Sequence, residues 1–504
     1  MDAISLEEPG LPANQADRQS FLHAAWAVGI FTTLSALLLV TPFSTLLTFL
    51  FPVLGFLCAI FVYSRSKPVY VSFVLWIWFL TPFVHRVVDM RAGAEQVILL
   101  TPYLVGGVAG IFLVRNLQLF AQPEMLPFAC ALSAIFYGLC IGSFRFDPLI
   151  VGSVLCEWLV PVLFGFFLYA YPDGRDAIRK SFKNSFGLAV IATGAYGIYQ
   201  FVAAPAWDMN WLQSNLEEFV SIGKPEAMQF RAFSTMNSPP VFGVAMMTGL
   251  LLLPALPKKM RIPAAVFGFV AILLTASRSA WIGFAGGILI LFAFGNKTQR
   301  VRIAAQIAGF ALVLLMLLRI PVLGSFVSDR FRNFDDMRDD ASFGDRVQGY
   351  KEAVGTIVHE PFGEGLGSAN VLHTGEVIGP HDSSFLESFY SLGWLGTLVY
   401  AGGLIFAGVR IFRTTDRSRG DLTRAGRAVM AAFVIQSPLN SIMLGQAGFF
   451  LWTVVALTLK ENSVKQAVPE PVPGLTEPGT RWLGAWNSEG SFGLGFDRKD
   501  PLGP

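Results

Sequence analysis

Four side chains in this sequence have the chemistry to act on a phosphorylated substrate. Arg231 lies in QFRAFSTMNSPP, Arg278 in LLTASRSAWIGF and Arg346 in FGDRVQGY, while His381 lies in IGPHDSSFLE. An arginine guanidinium presents a planar fork of donors to phosphate oxygens and stays charged at any relevant pH. Two or three arginines that converge would therefore suit a diphosphate group.

Each arginine also has a structural explanation. Arg278 could be an interfacial residue whose charged head reaches lipid headgroups. Arg346 could pair with Asp345 or with the acidic run DDMRDD. For Arg231 the structural explanation is intermediate in strength between those for Arg278 and Arg346. A metal site has little support, because the histidines at 359, 373 and 381 lack tight ligand spacing and the segments predicted to be outside contain no Asp-x-Asp pair.

His381 precedes a predicted helix start. Ser384 and Glu387 fit the S-x-x-E capping box before an apolar run, so Asp382, Ser383 and Ser384 are interpreted as helix-capping residues. Consecutive residues do not form a Ser-His-Asp triad, which is assembled across a fold. The positive end of a helix dipole disfavours the imidazolium form, so His381 could act as a neutral general base, or it could be an incidental loop histidine.

The composition is that of a membrane protein. Hydrophobic residues make up 53% of the 504 residues and charged residues only 14%, whereas soluble chains carry about 25% charged residues. The net charge of +2 gives no indication of nucleic-acid binding. The four cysteines all lie in apolar stretches, where they are typical of small core residues and predict no disulfide framework.

Apolar stretches of about 20 residues predict transmembrane helices. We predict an all-α, polytopic transmembrane helical bundle of about 12–14 spans. The candidate spans are 22–41, 43–63, 69–86, 97–114, 125–143, 149–171, 184–203, 237–256, 262–276, 279–296, 303–320, 384–409, 426–441 and 443–459. Five basic loops, at 64–67, 174–183, 258–261, 296–302 and 410–427, all lie inside if both termini are cytoplasmic.

This topology leaves two long segments outside, 204–236 and 321–383. The second contains an amphipathic helical pattern formed by Val347, Tyr350, Val354 and Ile357 or Val358, followed by the glycine-rich turn GEGLGSAN. Residues 1–21 are predicted to be a cytoplasmic N-terminal segment and 22–460 the membrane domain. Residues 461–504, rich in Pro and Gly, are predicted to be a disordered cytoplasmic tail.

A few polar residues fall inside predicted spans, where each needs a reason. Gln200, Gln436 and Asn440 are interpreted as interhelical hydrogen-bond partners. Glu157 could be an internal hydrogen-bonded acid or a functional one, and the sequence leaves both open.

The stretch GDRVQGYKEAVGTIVHEPFGEGLGSAN, followed by HDSSFLESFYSLGWLGTLVY, resembles the conserved region of the O-antigen ligase and O-antigen polymerase superfamily. FRAFSTMNSP and LTASRSAW are similar to the two upstream arginine motifs of that family. The resemblance extends from about residue 190 to 410, and before that it depends on hydropathy alone.

The resemblance implies glycan transfer on the outer face of the bacterial inner membrane. The donor would be a polyprenyl-diphosphate-linked glycan, the acceptor a glycan or lipid-glycan hydroxyl, and no metal or other cofactor would be required. By the same resemblance, Arg231 and Arg278 would bind the diphosphate and His381 would activate the acceptor. Arg346 would be a further essential loop residue. Asp382 stands where the family usually has asparagine, and an acid there favours the protonated imidazole.

Two other classes of protein remain open. A transporter of lipid-linked glycans would place its polar sites near the middle of the membrane, whereas these candidates cluster at the outer interface. A non-catalytic subunit of a polysaccharide export system would tolerate loss of Arg278 or His381. The sequence does not distinguish polymerase from ligase, and it leaves the sugar, the acceptor and any partnership with export or chain-length proteins open.

Overall fold

A computed structural model describes residues 13–92, 96–172, 174–215, 220–319, 350–351, 355, 360–368, 383–413 and 420–466. Arg346, His381 and Asp382 lie outside the described residues, as do most of the predicted outer segment 321–383 and the predicted tail from 467 onward. Among the described residues the only β pairing is an isolated bridge between Gly223 and Phe230. The described chain is therefore all-α.

Sixteen helices are described here in chain order. They are α1 (Ala13–Val40), α2 (Leu47–Arg65), α3 (Lys67–Ala92), α4 (Thr101–Gly107), α5 (Gly110–Arg115), α6 (Leu126–Gly142), α7 (Pro148–Ala170), α8 (Arg175–Ala203), α9 (Ala206–Ser214), α10 (Pro239–Leu251), α11 (Lys258–Leu274), α12 (Arg278–Ala293), α13 (Lys297–Leu318), α14 (Ser384–Arg413), α15 (Asp421–Gln436) and α16 (Gly445–Gln466).

The hydropathy of these helices fits a membrane. Within the described part of the chain, nine helical segments are long and apolar enough to cross a bilayer, and Pro239–Leu251 and Arg278–Ala293 are shorter apolar helices. Each predicted span overlaps a helix, so the prediction of an all-α polytopic fold is confirmed. The span predicted at 97–114 corresponds to the apolar helical segment Val97–Arg115, in which Val108 and Ala109 separate α4 from α5.

Two helices have ends that differ from the predicted positions. The span predicted at 426–441 is α15, which begins at Asp421 and ends at Gln436. The basic residues assigned to a loop are satisfied on the helix: Arg424 pairs with Asp421 at 2.7 Å, and Arg427 Nε donates to the Ile411 carbonyl at 2.9 Å. α16 ends at Gln466, whereas the predicted tail begins at 461.

Several helices at the predicted outer end are too short to cross the membrane alone. α10 has 13 residues, while α12 and α15 have 16 each, against about 20 for a full span. Irregular backbone at 231–238, 275–277 and 437–444 adjoins their ends. Irregular backbone at this depth must be bonded within the protein, and the contacts described below satisfy that condition.

Small residues allow α6 and α14 to pack closely. A Cβ at Gly403 would lie 2.9 Å from the Cβ of Cys130 and 2.9 Å from the Pro127 carbonyl oxygen. Such approaches are typical of helix pairs in membranes, where shape complementarity and not water exclusion drives association. This pair forms the frame on which the outer turn rests.

The predicted glycine-rich turn lies over the outer ends of α6 and α14. Leu366 N donates to the Gly138 carbonyl at 3.0 Å, and Trp394 N donates to the Pro361 carbonyl at 2.9 Å. α14 is broken at Gly393, which has φ 61 and ψ −173. The break admits the turn, because a Cβ at Gly393 would collide with the Phe362 carbonyl.

Candidate functional site

Arg231 lies in an irregular segment that is bonded to the end of α11. Ala232 N donates to the Leu274 carbonyl at 2.9 Å, and Arg231 N donates to the Ile222 carbonyl at 2.7 Å. The Arg231 side chain is partly buried, and its Nε donates to the Thr275 carbonyl at 2.9 Å. Arg231 is therefore held against the turn that connects α11 to α12.

Arg278 begins α12 directly after the same turn. Ser277 is the N-cap residue, and Ala276 before it has a left-handed φ of 47. A non-glycine residue in that region is strained and depends on its surroundings to hold it there. Arg278 is partly buried. The turn thus brings the two arginine motifs together at a helix N-terminus, whose dipole favours an anion.

The start of α14 is bonded to the irregular segment 437–444. Ser384 Oγ donates to the Asn440 carbonyl at 2.7 Å and accepts from Ile442 N at 2.9 Å. Ser384 N donates to the Ser437 carbonyl at 2.9 Å. Ser384 is fully buried, and its side chain joins two parts of the chain.

The predicted capping box is wrong. Ser383 precedes the helix, and its Oγ accepts a long bond from Leu386 N at 3.5 Å, so Ser383 and not Ser384 is the capping side chain. Glu387 accepts a hydrogen bond from Ser441 Oγ and does not return to the Ser384 amide. Ser384 and Glu387 bond instead to residues of segment 437–444. That segment is remote in sequence, so a local sequence pattern cannot reveal these bonds.

Segment 437–444 also reaches the start of α12. Asn440 Nδ2 donates to Ser279 Oγ at 2.5 Å, beside Arg278. On its other side, Tyr350 OH donates to the Pro438 carbonyl at 2.5 Å and lies within hydrogen-bond distance of Ser383 Oγ, at 2.6 Å. One network therefore joins the arginine turn to described residues that lie close in sequence to Arg346 and His381.

Two carboxyl groups lie in the neighbourhood of this network. Glu387, which the sequence suggested was a cap, interacts electrostatically with Glu157 of α7. Glu157 also interacts with Tyr103 of α4. Both glutamates are partly buried. The sequence left Glu157 undecided, and the structure brings it near the outer network through Glu387.

The interpretation of the three amide side chains as hydrogen-bond partners is confirmed. Gln436 Nε2 of α15 bonds to Met247 Sδ of α10 at 2.7 Å. Gln200 of α8 bonds to Asp208 of α9 at 2.8 Å. Asn440 differs in lying outside the helices, although it still bridges to α12.

The sequence reading missed Arg86 and Asp208. Arg86 is fully buried in α3 and pairs with the buried Asp208 of α9 at 2.8 Å. The signal was an arginine at the edge of an apolar run, in TPFVHRVVDM. Ionisable residues at membrane depth are functional candidates by default, but Arg86 is the last residue of the predicted span 69–86 and so does not stand out as an intramembrane charge.

The described residues define a polytopic helical membrane protein with a polar, arginine-bearing network at one end of the bundle. Residues 263–401 match the family model of the O-antigen ligase domain. This match supports membership of the O-antigen ligase and polymerase superfamily and agrees with the resemblance seen in the sequence. The match includes Arg278, Arg346, His381 and Asp382, whereas Arg231 precedes it. A comparison with curated proteins found no significant match.

Proposed function

We propose that this protein is a membrane glycosyltransferase of the polysaccharide polymerase or O-antigen ligase type. It would move a glycan from a polyprenyl-diphosphate donor to a hydroxyl acceptor on the outer face of the bacterial inner membrane. One observation carries the proposal beyond family membership: the Arg231 guanidinium is bonded to the turn from which Arg278 and α12 begin.

The arrangement suits departure of a diphosphate. The bond between the anomeric carbon of the donor sugar and a diphosphate oxygen breaks, and the leaving group takes the electron pair. Arg231, Arg278 and the amide groups at the start of α12 would stabilise that charge. Because these groups are fixed before the reaction, they do not have to reorient as the charge develops.

The acceptor needs a base. Its hydroxyl oxygen forms the new bond to the anomeric carbon, and its proton passes to His381. Arg346 and Asp382 would act near this point, with Asp382 favouring the imidazolium after proton transfer. Loss of a single general base is expected to cost on the order of 10²–10⁴ in rate.

His381→Asn tests that role directly. Asparagine keeps some hydrogen bonding but cannot accept a proton at neutral pH, so we expect transfer to be lost while donor binding persists. Purified protein with a polyprenyl-diphosphate-linked glycan would provide both measurements. Near-normal turnover of this variant would exclude general-base catalysis by His381.

Deletion of the gene in its host would identify the reaction. Single repeat units in place of long chains would indicate a polymerase. Long polyprenyl-linked chains with no glycan attached to an acceptor would indicate a ligase. Normal surface glycan with no accumulated intermediate would contradict both and favour the transporter or export-subunit alternatives.

A further inference from the structure

A buried ion pair lies directly beneath the segment that bears Arg231. Arg86 Nε donates to Asp208 Oδ1 at 2.8 Å, and both side chains are 0% exposed. Burial of two charges has a large desolvation cost, and apolar residues of similar size often give equal or greater stability. The stability of the bundle alone therefore does not explain this pair.

The remaining donors of Arg86 bind the chain just after Arg231. Nη1 donates to the Met236 carbonyl at 2.8 Å and to Asn237 Oδ1 at 2.7 Å, and Nη2 donates to the Ser234 carbonyl. The guanidinium thus binds three acceptors of one irregular segment in addition to its carboxylate. An aspartate at position 86 could accept hydrogen bonds but could not donate them to the Ser234 and Met236 carbonyls.

Asp208 connects Arg86 to α8, and we call the group formed by Arg86, Asp208 and Gln200 the clamp. Its Oδ2 accepts from Tyr196 OH at 2.7 Å and from Gln200 Nε2 at 2.8 Å. Gln200 Oε1 in turn accepts from Ser234 N at 2.7 Å and from Phe233 N at 3.1 Å. Carbonyls and amides of the segment are therefore held by side chains of both α3 and α8.

Ser234 shows what the clamp achieves. Its φ of 55 lies in the left-handed region, which a serine adopts only when its surroundings hold it there. Its Oγ donates to the Thr193 carbonyl at 2.6 Å, and its peptide groups bind Gln200 and Arg86. The backbone turns at Ser234, three residues after Arg231, so this conformation sets the path of the chain that carries the Arg231 guanidinium.

We infer that Arg86 and Asp208 are positioning residues that fix segment 231–237 and thereby hold Arg231 in the geometry that binds the donor diphosphate. The inference rests on the proposed function, because it concerns the same diphosphate site. Neither residue needs to contact the substrate. Their effect is expected to pass entirely through Arg231.

The test measures binding of farnesyl diphosphate to the purified full-length protein. Arg231→Ala is measured first and should weaken binding about 10- to 100-fold, as expected for the loss of charge-assisted hydrogen bonds. The double variant Arg86→Met/Asp208→Leu removes both charges together, so no unpaired charge stays buried. We expect it to remain folded and to bind as weakly as Arg231→Ala.

A variant with exchanged charges tests whether the ion pair is sufficient without the hydrogen bonds from Arg86 to the segment. Arg86→Asp/Asp208→Arg retains opposite charges but leaves the Ser234 and Met236 carbonyls without the Arg86 donors, so we expect no recovery of binding. Arg427→Met is the matched control. Arg427 is also a buried arginine that donates to a carbonyl, that of Ile411, but it lies at the opposite end of the bundle. It should leave binding unchanged.

Combining the double variant with Arg231→Ala shows whether Arg86 and Asp208 affect binding through Arg231. If the pair acts through Arg231, adding the double variant to Arg231→Ala should cause no further loss of affinity. A multiplied loss, or normal binding by the folded double variant, would overturn the inference. If Arg231→Ala itself binds normally, the proposed diphosphate role of Arg231 fails first, and the two failures are thus distinguishable.

A second variant keeps the test decisive if the double variants do not fold. Gln200→Leu leaves the ion pair intact and removes the acceptor for the Phe233 and Ser234 amides. We expect this variant to weaken farnesyl diphosphate binding in the wild-type background and to have no further effect in the Arg231→Ala background. Normal binding by folded Gln200→Leu would also count against the inference.

Discussion

Arg231 and Arg278 are supported in different ways. Arg278 opens a regular helix, and its backbone is fixed by α12 itself. Arg231 lies in irregular chain whose conformation depends on side chains from α3 and α8. An arginine in such a segment is sensitive to residues that lie far from it in sequence, and a local motif does not reveal them.

Lysine substitution tests the diphosphate role of both arginines. A lysine keeps the charge but replaces a planar two-pronged donor with a compact ammonium group. We expect Arg231→Lys and Arg278→Lys each to reduce transfer by about 10²–10³, the usual effect of removing one fixed donor from an anion-stabilising site. Transfer from a polyprenyl-diphosphate-linked glycan by purified protein would measure this loss.

Arg300→Lys provides the comparison. Arg300 lies near the start of α13, where its Nε donates to the Phe292 carbonyl at 3.0 Å in an exposed position. It should retain normal transfer and normal membrane insertion. Normal transfer by both site variants as well would show that Arg231 and Arg278 serve only as interfacial anchors.

Ser384 has a larger structural role than helix capping. Ser384→Ala would leave the Ile442 amide and the Asn440 carbonyl without the bonds they make to the hydroxyl. A buried polar group that loses its partner costs about 1–3 kcal/mol. We expect a clear fall in the thermal unfolding midpoint of the purified protein.

Ser143→Ala is a suitable control, because the exposed Ser143 hydroxyl donates to the Leu139 carbonyl of its own helix and does not bridge separate parts of the described chain. Its effect should stay within about 0.5 kcal/mol. Equal shifts for the two variants would contradict the bridging role of Ser384.

At the scale of single residues, the sequence indicates which polar side chains are candidates more reliably than it indicates the hydrogen-bond partners of those side chains. Arg231 and Arg278 stood out because polar groups near apolar runs need a reason. Glu387 was misinterpreted because Ser441, its partner, lies 54 positions further along the chain. Arg86 was missed for the same reason, since Asp208 and the Ser234 carbonyl are remote in sequence.

Among the elements, α14 depends on one glycine. Gly393 has φ 61, and a Cβ there would meet the Phe362 carbonyl. We expect Gly393→Ala to destabilise the protein by more than about 1 kcal/mol, because the side chain is strained in this region and the outer turn must shift. The unfolding midpoint of the purified protein would report it.

Gly402→Ala is the matched control within the same helix. A Cβ at Gly402 meets no described residue within 4 Å, so alanine should be neutral or slightly stabilising through its better helix propensity. If Gly393→Ala were as stable as Gly402→Ala, the break in α14 would not require glycine.

Helix existence was predictable and helix ends were not. Apolar runs of membrane length fix where helices occur, since a bilayer demands about 20 such residues. The start of α15 was predicted too late because Arg427 finds a carbonyl on α14, which only the packed structure provides. The short length of α10 likewise reflects the irregular segment before it, which α3 and α8 support.

For the whole molecule, the site forms where several helix ends meet. Hydropathy alone does not predict which helix ends lie next to one another. The start of α12, the segment 437–444 and the start of α14 are bonded to one another. Hydropathy placed each of these near a span end. That they share one end of the bundle follows from the topology, which in turn depends on the charge bias of the loops.

The orientation of the bundle is the last prediction, because the proposed outer location of the site depends on it. Residues 204–236 are predicted to lie outside, and the basic loop 296–302 inside. Lys224 and Lys297 are both exposed and represent these two regions. In a protein lacking the native cysteines, Lys224→Cys should react with a membrane-impermeant thiol reagent in intact spheroplasts, whereas Lys297→Cys should react only after lysis. The reverse labelling pattern would place the arginine turn on the cytoplasmic side and would remove the basis for transfer at the outer face.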